Sequence, residues 1–233
     1  MSLELIARGR AADVYAYGDG RILRRYRTPH DCLYEAAVMQ HVRAHGYPAP
    51  EAIEVSGGDI VMERLDGPTM LGDLSRRPWR MRGYARLLST LIRRLHAIPP
   101  PEWLRPRLGG GTALVHLDLH PDNVMLTSRG PVVIDWTNAG RGAPATELAD
   151  LWLLMANANI PGSRLTRTLL GGGRRLFVGS VIGSFDRDEV RRQLPVALDH
   201  RLRDRNMLDD ERVRMKRFVE RNALPESMGF GSV

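Results

Sequence analysis

The feature that most restricts the fold is one change of pattern, at the turn formed by residues 65–68, Leu-Asp-Gly-Pro. Before this turn, short alternating or β-branched runs predict strands at residues 3–7, 14–17, 21–26, 52–55 and 60–63. One helix, with apolar positions at Leu33, Ala36, Ala37 and Val42, is expected over residues 29–45, because Pro29 can open it and Gly46 can end it. After the turn the patterns are mainly helical. We therefore predict an α+β chain with a β-rich lobe over residues 1–65, a mainly helical lobe over residues 66–233, and a hinge near residues 63–68.

The second part of the chain combines helices with one hairpin. Residues 84–96 carry leucine and isoleucine at helical spacing, and three prolines at 99–101 stop that helix. Residues 124–127 and 132–135 predict two strands around the turn Ser128-Arg129-Gly130. Everything after about Glu147 is expected to be helical. Two lobes with a cleft between them are a natural place for a nucleotide.

Composition excludes several classes of protein. No run of 18 apolar residues is present, and the first ten residues lack an apolar signal-peptide core, so no membrane partner is expected. The single cysteine, Cys32, favours a reducing, cytoplasmic location. The formal charge of +7 suggests nucleic acid at first, but the arginines are spread out and interleaved with acidic residues. We therefore expect no nucleic-acid partner.

Three polar residues around the hairpin carry the chemistry. Asp118 lies in the loop before the hairpin, Asn123 begins one predicted strand, and Asp135 ends the other. A hairpin returns the chain, so Asn123 and Asp135 are expected side by side, and their oxygens suit Mg²⁺ together with substrate phosphates. Asp118 can accept a hydroxyl proton during phosphoryl transfer. Taken singly, each residue is more typical of a turn or a strand-end cap than of a catalytic site, so the argument depends on their combination.

Two segments resemble a known family. Residues 116–123, HLDLHPDN, resemble the HGDLHPGN motif of the aminoglycoside phosphotransferase and choline kinase family, which is related to protein kinases, and residues 132–136, VVIDW, resemble its metal-binding strand end. Residues 91–99 are similar to the family's helix before the catalytic loop. The resemblance spans about residues 5–155. It implies a two-lobed, protein-kinase-like fold and a small-molecule kinase that uses ATP or GTP with Mg²⁺. It also implies that Asp118 is the base, that Asn123 and Asp135 hold Mg²⁺, and that His116 supports the loop.

The resemblance extends to the N-terminal lobe. Arg24 stands where the family has the lysine that binds ATP phosphates, and Glu35 resembles its ion-pair partner, although a solvated surface pair is the alternative. Arginine can bridge phosphate oxygens with two nitrogens. Gly9 and Arg10 resemble the loop that covers the phosphates. The backbone groups of Glu63 and Leu65 resemble the segment that meets adenine. We expect these residues to bind the nucleotide.

The sequence departs from the family at two positions near Asp118. Leu117 replaces a glycine that permits positive φ, which leucine adopts only at a cost. Residues 142–149, GAPATELA, resemble the family's GDPAxDLA, with alanine for the first aspartate and Glu147 for the second. Glu147 or Asp150 is expected to anchor the catalytic loop, or else to act as an ordinary carboxylate at a helix N-terminus. These departures leave an alternative open, a kinase-like nucleotide-binding protein with weak or no activity.

The acceptor is expected to be a small molecule with a hydroxyl group, such as a sugar, an antibiotic or a related metabolite. From residue 137 onward the chain has 16 Lys and Arg against 12 Asp and Glu, which argues against polycationic aminoglycosides. All six tyrosines lie at or before Tyr84, which disfavours an aromatic cage for choline. Five histidines outside the HLDLHPDN segment lack metal-ligand spacing, and we expect surface or packing roles for them: His30, His41, His45, His96 and His200.

Overall fold

The structure, a computed structural model, describes residues 3–9, 11–18, 20–157, 164–203 and 209–224. These residues form two compact units. Unit 1 comprises residues 1–77 and 121–139, and unit 2 comprises residues 78–120 and 140–233. The hairpin therefore belongs to the same compact unit as the N-terminal strands. The lobe boundary expected near residues 63–68 stays a prediction.

Unit 1 is built on a five-stranded antiparallel sheet, whose strands are β1 (Leu5–Arg8), β2 (Ala12–Ala16), β3 (Arg21–Tyr26), β4 (Ala52–Ser56) and β5 (Asp59–Glu63). Their order across the sheet is β1-β2-β3-β5-β4. The helices of the unit are α1 (Cys32–Ala44) and α2 (Met70–Arg76). All five strands confirm the predicted ones to within a few residues, while α2 was not predicted.

Helix α1 buries only part of the expected face: Val42 is buried as predicted, whereas Ala36 and Ala37 are half-buried. Asp31 caps its start by accepting a hydrogen bond from the Tyr34 backbone N–H at 3.1 Å. Leu33, expected in the apolar stripe, is 71% exposed, whereas Val38 and Met39 are buried. The buried face is centred on Glu35, which lies three and four residues before Val38 and Met39. Because a charged residue, Glu35, lies at the centre of the buried face, a search for apolar residues at helical spacing does not identify that face.

A two-stranded hairpin completes unit 1. It consists of β7 (Val124–Thr127) and β8 (Gly130–Val133), with Val124 opposite Val133. The turn after β5 approaches it closely: Gly67 has φ 138°, and a Cβ there would lie 2.1 Å from the Leu126 carbonyl oxygen. The Leu126 N–H also donates to the Pro68 carbonyl at 2.9 Å. Residue 67 must therefore be glycine for the turn to reach the hairpin.

Unit 2 is mainly helical around α4 (Pro144–Asn157), which packs against each of the last four helices of the unit. The other helices are α3 (Met81–His96), α5 (Arg164–Ile182), α6 (Arg187–Arg192), α7 (Leu194–Leu202) and α8 (Asp209–Asn222). A short strand pair, β6 (Ala113–Val115) and β9 (Gly140–Gly142), flanks the loop that carries Asp118. Within the described ranges, no helix is long and apolar enough to cross a membrane.

Candidate active site

The predicted metal ligands lie in unit 1, at the open end of the hairpin. The Ile134 N–H donates to the Asn123 carbonyl at 3.0 Å, which closes the hairpin beside Asn123. Strand β8 ends at Val133, so the expectation that Asp135 ends the strand is wrong by two residues. Asp135 instead has φ 66° and precedes a single 3₁₀ turn, Trp136–Asn138. The buried Trp136 ring fixes this turn, because its indole N–H donates to the Val133 carbonyl at 2.9 Å.

Arg24, on β3, joins two carboxylates in unit 1. Its Nη1 lies 2.9 Å from Glu35 Oε1, and its Nη2 lies 2.7 Å from Asp135 Oδ1. The Arg24 side chain is only 15% exposed and Glu35 is buried, so the solvated surface pair is not what forms. The Arg24–Glu35 ion pair indicated by the sequence is present. The contact with Asp135 was not foreseen.

Neighbouring side chains hold this ion pair in place. The Tyr26 hydroxyl donates to Glu35 Oε2 at 2.6 Å, and the Thr137 hydroxyl donates to Asp135 Oδ1 at 2.8 Å. Burial by itself lowers the pKa of Arg24, but the charges of Glu35 and Asp135 outweigh it and raise that pKa above its ordinary value. Burial, followed by the charge of Glu35, raises the pKa of Tyr26. Arg24 is therefore a permanent cation held between two carboxylates.

The loop that carries Asp118 lies in unit 2 and is held by a buried carboxylate. Glu147 Oε1 accepts hydrogen bonds from the backbone N–H groups of His116 and Leu117, at 2.5 and 2.9 Å. Glu147 Oε2 lies 2.5 Å from His96 Nε2. Burial acts to raise the pKa of Glu147, but the hydrogen bond from His96 and the other donors lower it below its ordinary value. Of the two interpretations of Glu147, the structure supports loop anchoring.

Leu117 adopts the conformation for which the family uses glycine. Its φ is 60°, in the left-handed region, although a leucine there is strained by roughly 1–2 kcal/mol. Its side chain is 1% exposed, so burial offsets the strain. The loop thus keeps its backbone shape despite the substitution.

Asp118 contacts an arginine that sequence reasoning missed. The Asp118 side chain is 22% exposed, and its Oδ1 lies 3.4 Å from Arg201 Nη2. Arg201, on α7, also makes two hydrogen bonds to the buried Asp150, at 2.7 and 2.5 Å. Burial lowers the pKa of Arg201, but Asp150 and then Asp118 raise it above its ordinary value. Asp150 thereby orients an arginine, and the arginine orients Asp118. His120 Nε2 lies 3.7 Å from Asp118 Oδ2.

The remaining predicted residues occupy ordinary positions in their units. Gly9 lies in the tight turn between β1 and β2, where its N–H donates to the Ala12 carbonyl at 2.8 Å, while Arg10 lies outside the described residues. Glu63 ends β5, and its N–H already donates to the Glu51 carbonyl at 3.0 Å. Leu65 follows in the irregular segment after β5. Their roles in nucleotide binding stay predictions.

Three contacts could not have been found by motif alone. Arg201 lies 83 residues after Asp118 in a helix whose charges read as a solvated surface. Thr137 follows the VVIDW segment and has no distinguishing pattern. His96 lies in the segment 91–99, which resembles the family's helix before the catalytic loop. That resemblance could have indicated a contact with the loop, but His96 was interpreted as a surface or packing residue.

The fold defined by these elements is of the α+β, protein-kinase-like class, as predicted. The chain is similar to an ethanolamine kinase of Plasmodium vivax with a TM-score of 0.60 and 12% identity, over 94% of this chain and 82% of the other. It is also similar to an amicoumacin kinase, hAmiN, solved with AMP-PNP and Ca²⁺, with a TM-score of 0.55 and 14% identity over 94% and 86% of the two chains. At these identities the similarity establishes the fold.

The family follows from the sequence match. Residues 2–109 and 73–191 match the model of the phosphotransferase enzyme family, APH, so the chain belongs to that family. This confirms the resemblance to aminoglycoside phosphotransferases and choline kinases. The chain is also 51% identical to a thiamine kinase of Salmonella paratyphi B over 41 residues, which are 18% of this chain and 15% of that protein. The match therefore spans well under two thirds of that relative.

Proposed function

We propose that this protein is a small-molecule kinase that transfers the terminal phosphate of ATP or GTP to a hydroxyl group, with Asp118 as the base. One observation carries the proposal. Among the described residues, the non-glycine positions with positive φ are Leu117 and Asp135. Leu117 directly precedes the predicted base, Asp118, and Asp135 is a predicted Mg²⁺ ligand. Such conformations cost of order 1–3 kcal/mol each, persist only where the surroundings impose them, and concentrate at functional sites. The cost is greater for Leu117, because aspartate enters the left-handed region more readily.

The donor chemistry of unit 1 fits a magnesium nucleotide. Asn123 and Asp135 would hold Mg²⁺ through an amide oxygen and a carboxylate, the oxygen ligands that this ion prefers. When bound, the ion would neutralise charge on the nucleotide phosphates. Arg24 offers a planar cation that can bind phosphate oxygens with two nitrogens, and Glu35 keeps it oriented. The complex of the similar hAmiN with AMP-PNP and Ca²⁺ is consistent with this assignment.

The proposed reaction needs a positioned base. The acceptor oxygen forms a bond to the terminal phosphorus, the bond from phosphorus to the nucleoside diphosphate breaks, and the hydroxyl proton passes to Asp118. Arg201 restrains the Asp118 carboxylate from one side, while the partial exposure of Asp118 leaves room for an acceptor. Glu147 fixes the backbone that precedes it. His116 supports the same loop through its backbone N–H.

The same proposal includes the finer predictions. The nucleotide would lie against Gly9, Arg10 and the backbone of Glu63 and Leu65, with a hinge near residues 63–68. The protein would act in the cytoplasm on a sugar, antibiotic or related metabolite, without nucleic acid or membrane. The single cysteine and the interleaved charges support this setting.

The decisive experiment compares Asp118→Asn with Asp122→Asn. Both variants neutralise an aspartate of the same motif, but Asp122, whose carboxylate accepts a hydrogen bond from Thr69 at 2.8 Å, has no assigned role in phosphoryl transfer. We expect Asp118→Asn to lower turnover by about 10²–10⁴-fold with nucleotide affinity retained, since that is the usual contribution of a general base. Asp122→Asn should stay within a few-fold of the parent. Unchanged turnover in Asp118→Asn would contradict the assignment of Asp118 as the base.

A second candidate is a nucleotide-binding protein that transfers no phosphate. The contact between Arg24 and Asp135 favours it, because that carboxylate is already engaged by a cation. Thermal-shift titration with ATP and Mg²⁺, followed by a screen of hydroxyl acceptors that includes thiamine and ethanolamine, separates the two. Binding with no transfer to any acceptor and no slow ATP hydrolysis would favour the second candidate.

A further inference from the structure

Unit 2 contains a cavity of about 620 Å³ among its C-terminal helices. Helices α4, α5, α6 and α8 supply its lining. We call it the arginine cavity, after the six arginines among its described lining residues: Arg174, Arg175, Arg187, Arg214, Arg217 and Arg221. The volume falls within the range of about 300–1,000 Å³ that is typical of small-molecule sites.

The lining of the arginine cavity is positively charged, although Arg214 is already paired with Asp210, whose Oδ2 lies 2.7 Å from its Nη1. The described lining includes no aspartate or glutamate. The Arg174 side chain is held in place by donating to the Ala156 carbonyl at 2.9 Å. Burial, and then the positive charge of Arg175, lower the pKa of Arg174, so the two guanidinium groups repel each other. An anion placed between the arginines would relieve this repulsion.

One wall of the arginine cavity is aromatic. Trp152 and Phe218 meet edge to face with ring centroids 5.6 Å apart, and both are half-buried. The Arg187 guanidinium lies 5.7 Å from the centre of the Trp152 ring. Guanidinium groups bind phosphate with paired nitrogens, and aromatic edges accept a flat ring. The combination selects an anion that also has a planar apolar part.

The arginine cavity lies away from the face of α4 that serves Asp118. On that helix, Asp150 is bonded to Arg201, which in turn contacts Asp118. Trp152 follows Asp150 by two residues and therefore points about 200° away around the helix, given 3.6 residues per turn. Ala156, which also lines the cavity, lies on the side of Trp152. A ligand in the cavity would not occupy the position of the acceptor beside Asp118.

We propose that the arginine cavity is a binding site for a small organic phosphate that carries a planar ring, separate from the residues assigned to phosphoryl transfer. The arginines bind the phosphate oxygens, and Trp152 and Phe218 contact the ring. This inference goes beyond the proposed kinase activity and does not depend on it. It concerns binding alone, so its test requires no acceptor substrate.

The test uses 1-naphthyl phosphate as the probe, measured by isothermal titration calorimetry on the whole chain. Inorganic phosphate lacks the ring and 1-naphthol lacks the charge, so each should bind at least tenfold more weakly. The double variant Arg175→Gln/Arg217→Gln changes two exposed lining residues and should weaken binding of the probe at least tenfold. Arg203→Gln is the matched control, because it removes one exposed arginine of the same unit that does not line the cavity.

A third variant tests the aromatic wall. Trp152→Leu should reduce the preference for 1-naphthyl phosphate over inorganic phosphate while leaving the affinity for phosphate unchanged. The inference is overturned if the probe does not bind, if 1-naphthol binds as tightly, or if the double variant binds as the parent does. It is also overturned if a duplex oligonucleotide binds through Arg175 and Arg217 while the probe does not, since that would indicate a nucleic-acid surface.

Discussion

Glu147 holds the loop before Asp118 by two backbone hydrogen bonds, and its removal should be costly. Glu147→Ala leaves the N–H groups of His116 and Leu117 buried without their acceptor. Each such loss costs about 1–3 kcal/mol, so we expect about 2–6 kcal/mol in total. That loss is comparable with the whole stability of a typical domain, about 5–15 kcal/mol. Urea unfolding of the parent and the variant at pH 7 measures this loss.

Glu147→Gln provides a second variant that should fold. Glutamine keeps an acceptor oxygen for both N–H groups but loses the charge, and hydrogen bonds to charged groups exceed neutral ones by about 1 kcal/mol each. We therefore expect a loss of about 2 kcal/mol at pH 7. This variant isolates the charge of Glu147 from its shape.

The pH dependence of the same pair tests the cause. Folding lowers the pKa of Glu147 below its ordinary value of 4.5, so its stabilising contribution is present above about pH 4.5 and is lost as pH falls through the lowered value. The stability difference between the parent and Glu147→Gln should therefore be largest at neutral pH and shrink in acid. A constant difference across this range, or a loss below about 1 kcal/mol for Glu147→Ala, would refute the reasoning.

Three further variants test other contacts, each by urea unfolding. Leu117→Gly should destabilise the protein by about 1–2 kcal/mol less than Leu119→Gly, because both leucines are buried but only Leu117 has a strained φ to relieve; equal losses would contradict the strain. Arg24→Lys should cost about 1–3 kcal/mol, since one ammonium cannot reproduce both of its bonds to carboxylates; no loss would show that the bridge is unimportant. Arg201→Met should cost about 3–5 kcal/mol by leaving the carboxylate of Asp150, 1% exposed, without its cation. Adding Asp150→Asn should recover part of that loss, and a purely additive double variant would argue against the pairing.

Local patterns were sufficient to predict most of the strands. Strand β3 and the hairpin strands are short runs rich in β-forming residues next to glycine-containing turns, so their positions followed from the sequence. Strands β6 and β9 have three residues each, too few to show a period. Helix α2 was missed because it is short and follows directly after the turn at residues 65–68.

The candidate site was predictable where it depends on short motifs. The positions of Asp118, Asn123 and Asp135 and the Arg24–Glu35 pair were available from the sequence, as was the cost of leucine at position 117. Contacts between distant segments were not. Arg201 reaches Asp118 only because α7 packs on α4, and that packing depends on the tertiary arrangement of the unit.

The arginine at position 24 has a consequence for how this protein is detected in a cell extract. Acyl-phosphate nucleotide probes report on kinases by transferring a tag to the lysine amine beside the bound phosphates. The one lysine of this chain is Lys216, which is exposed on α8. Under the role proposed for Arg24 in nucleotide binding, such a probe would find no amine to label at position 24, with or without bound nucleotide.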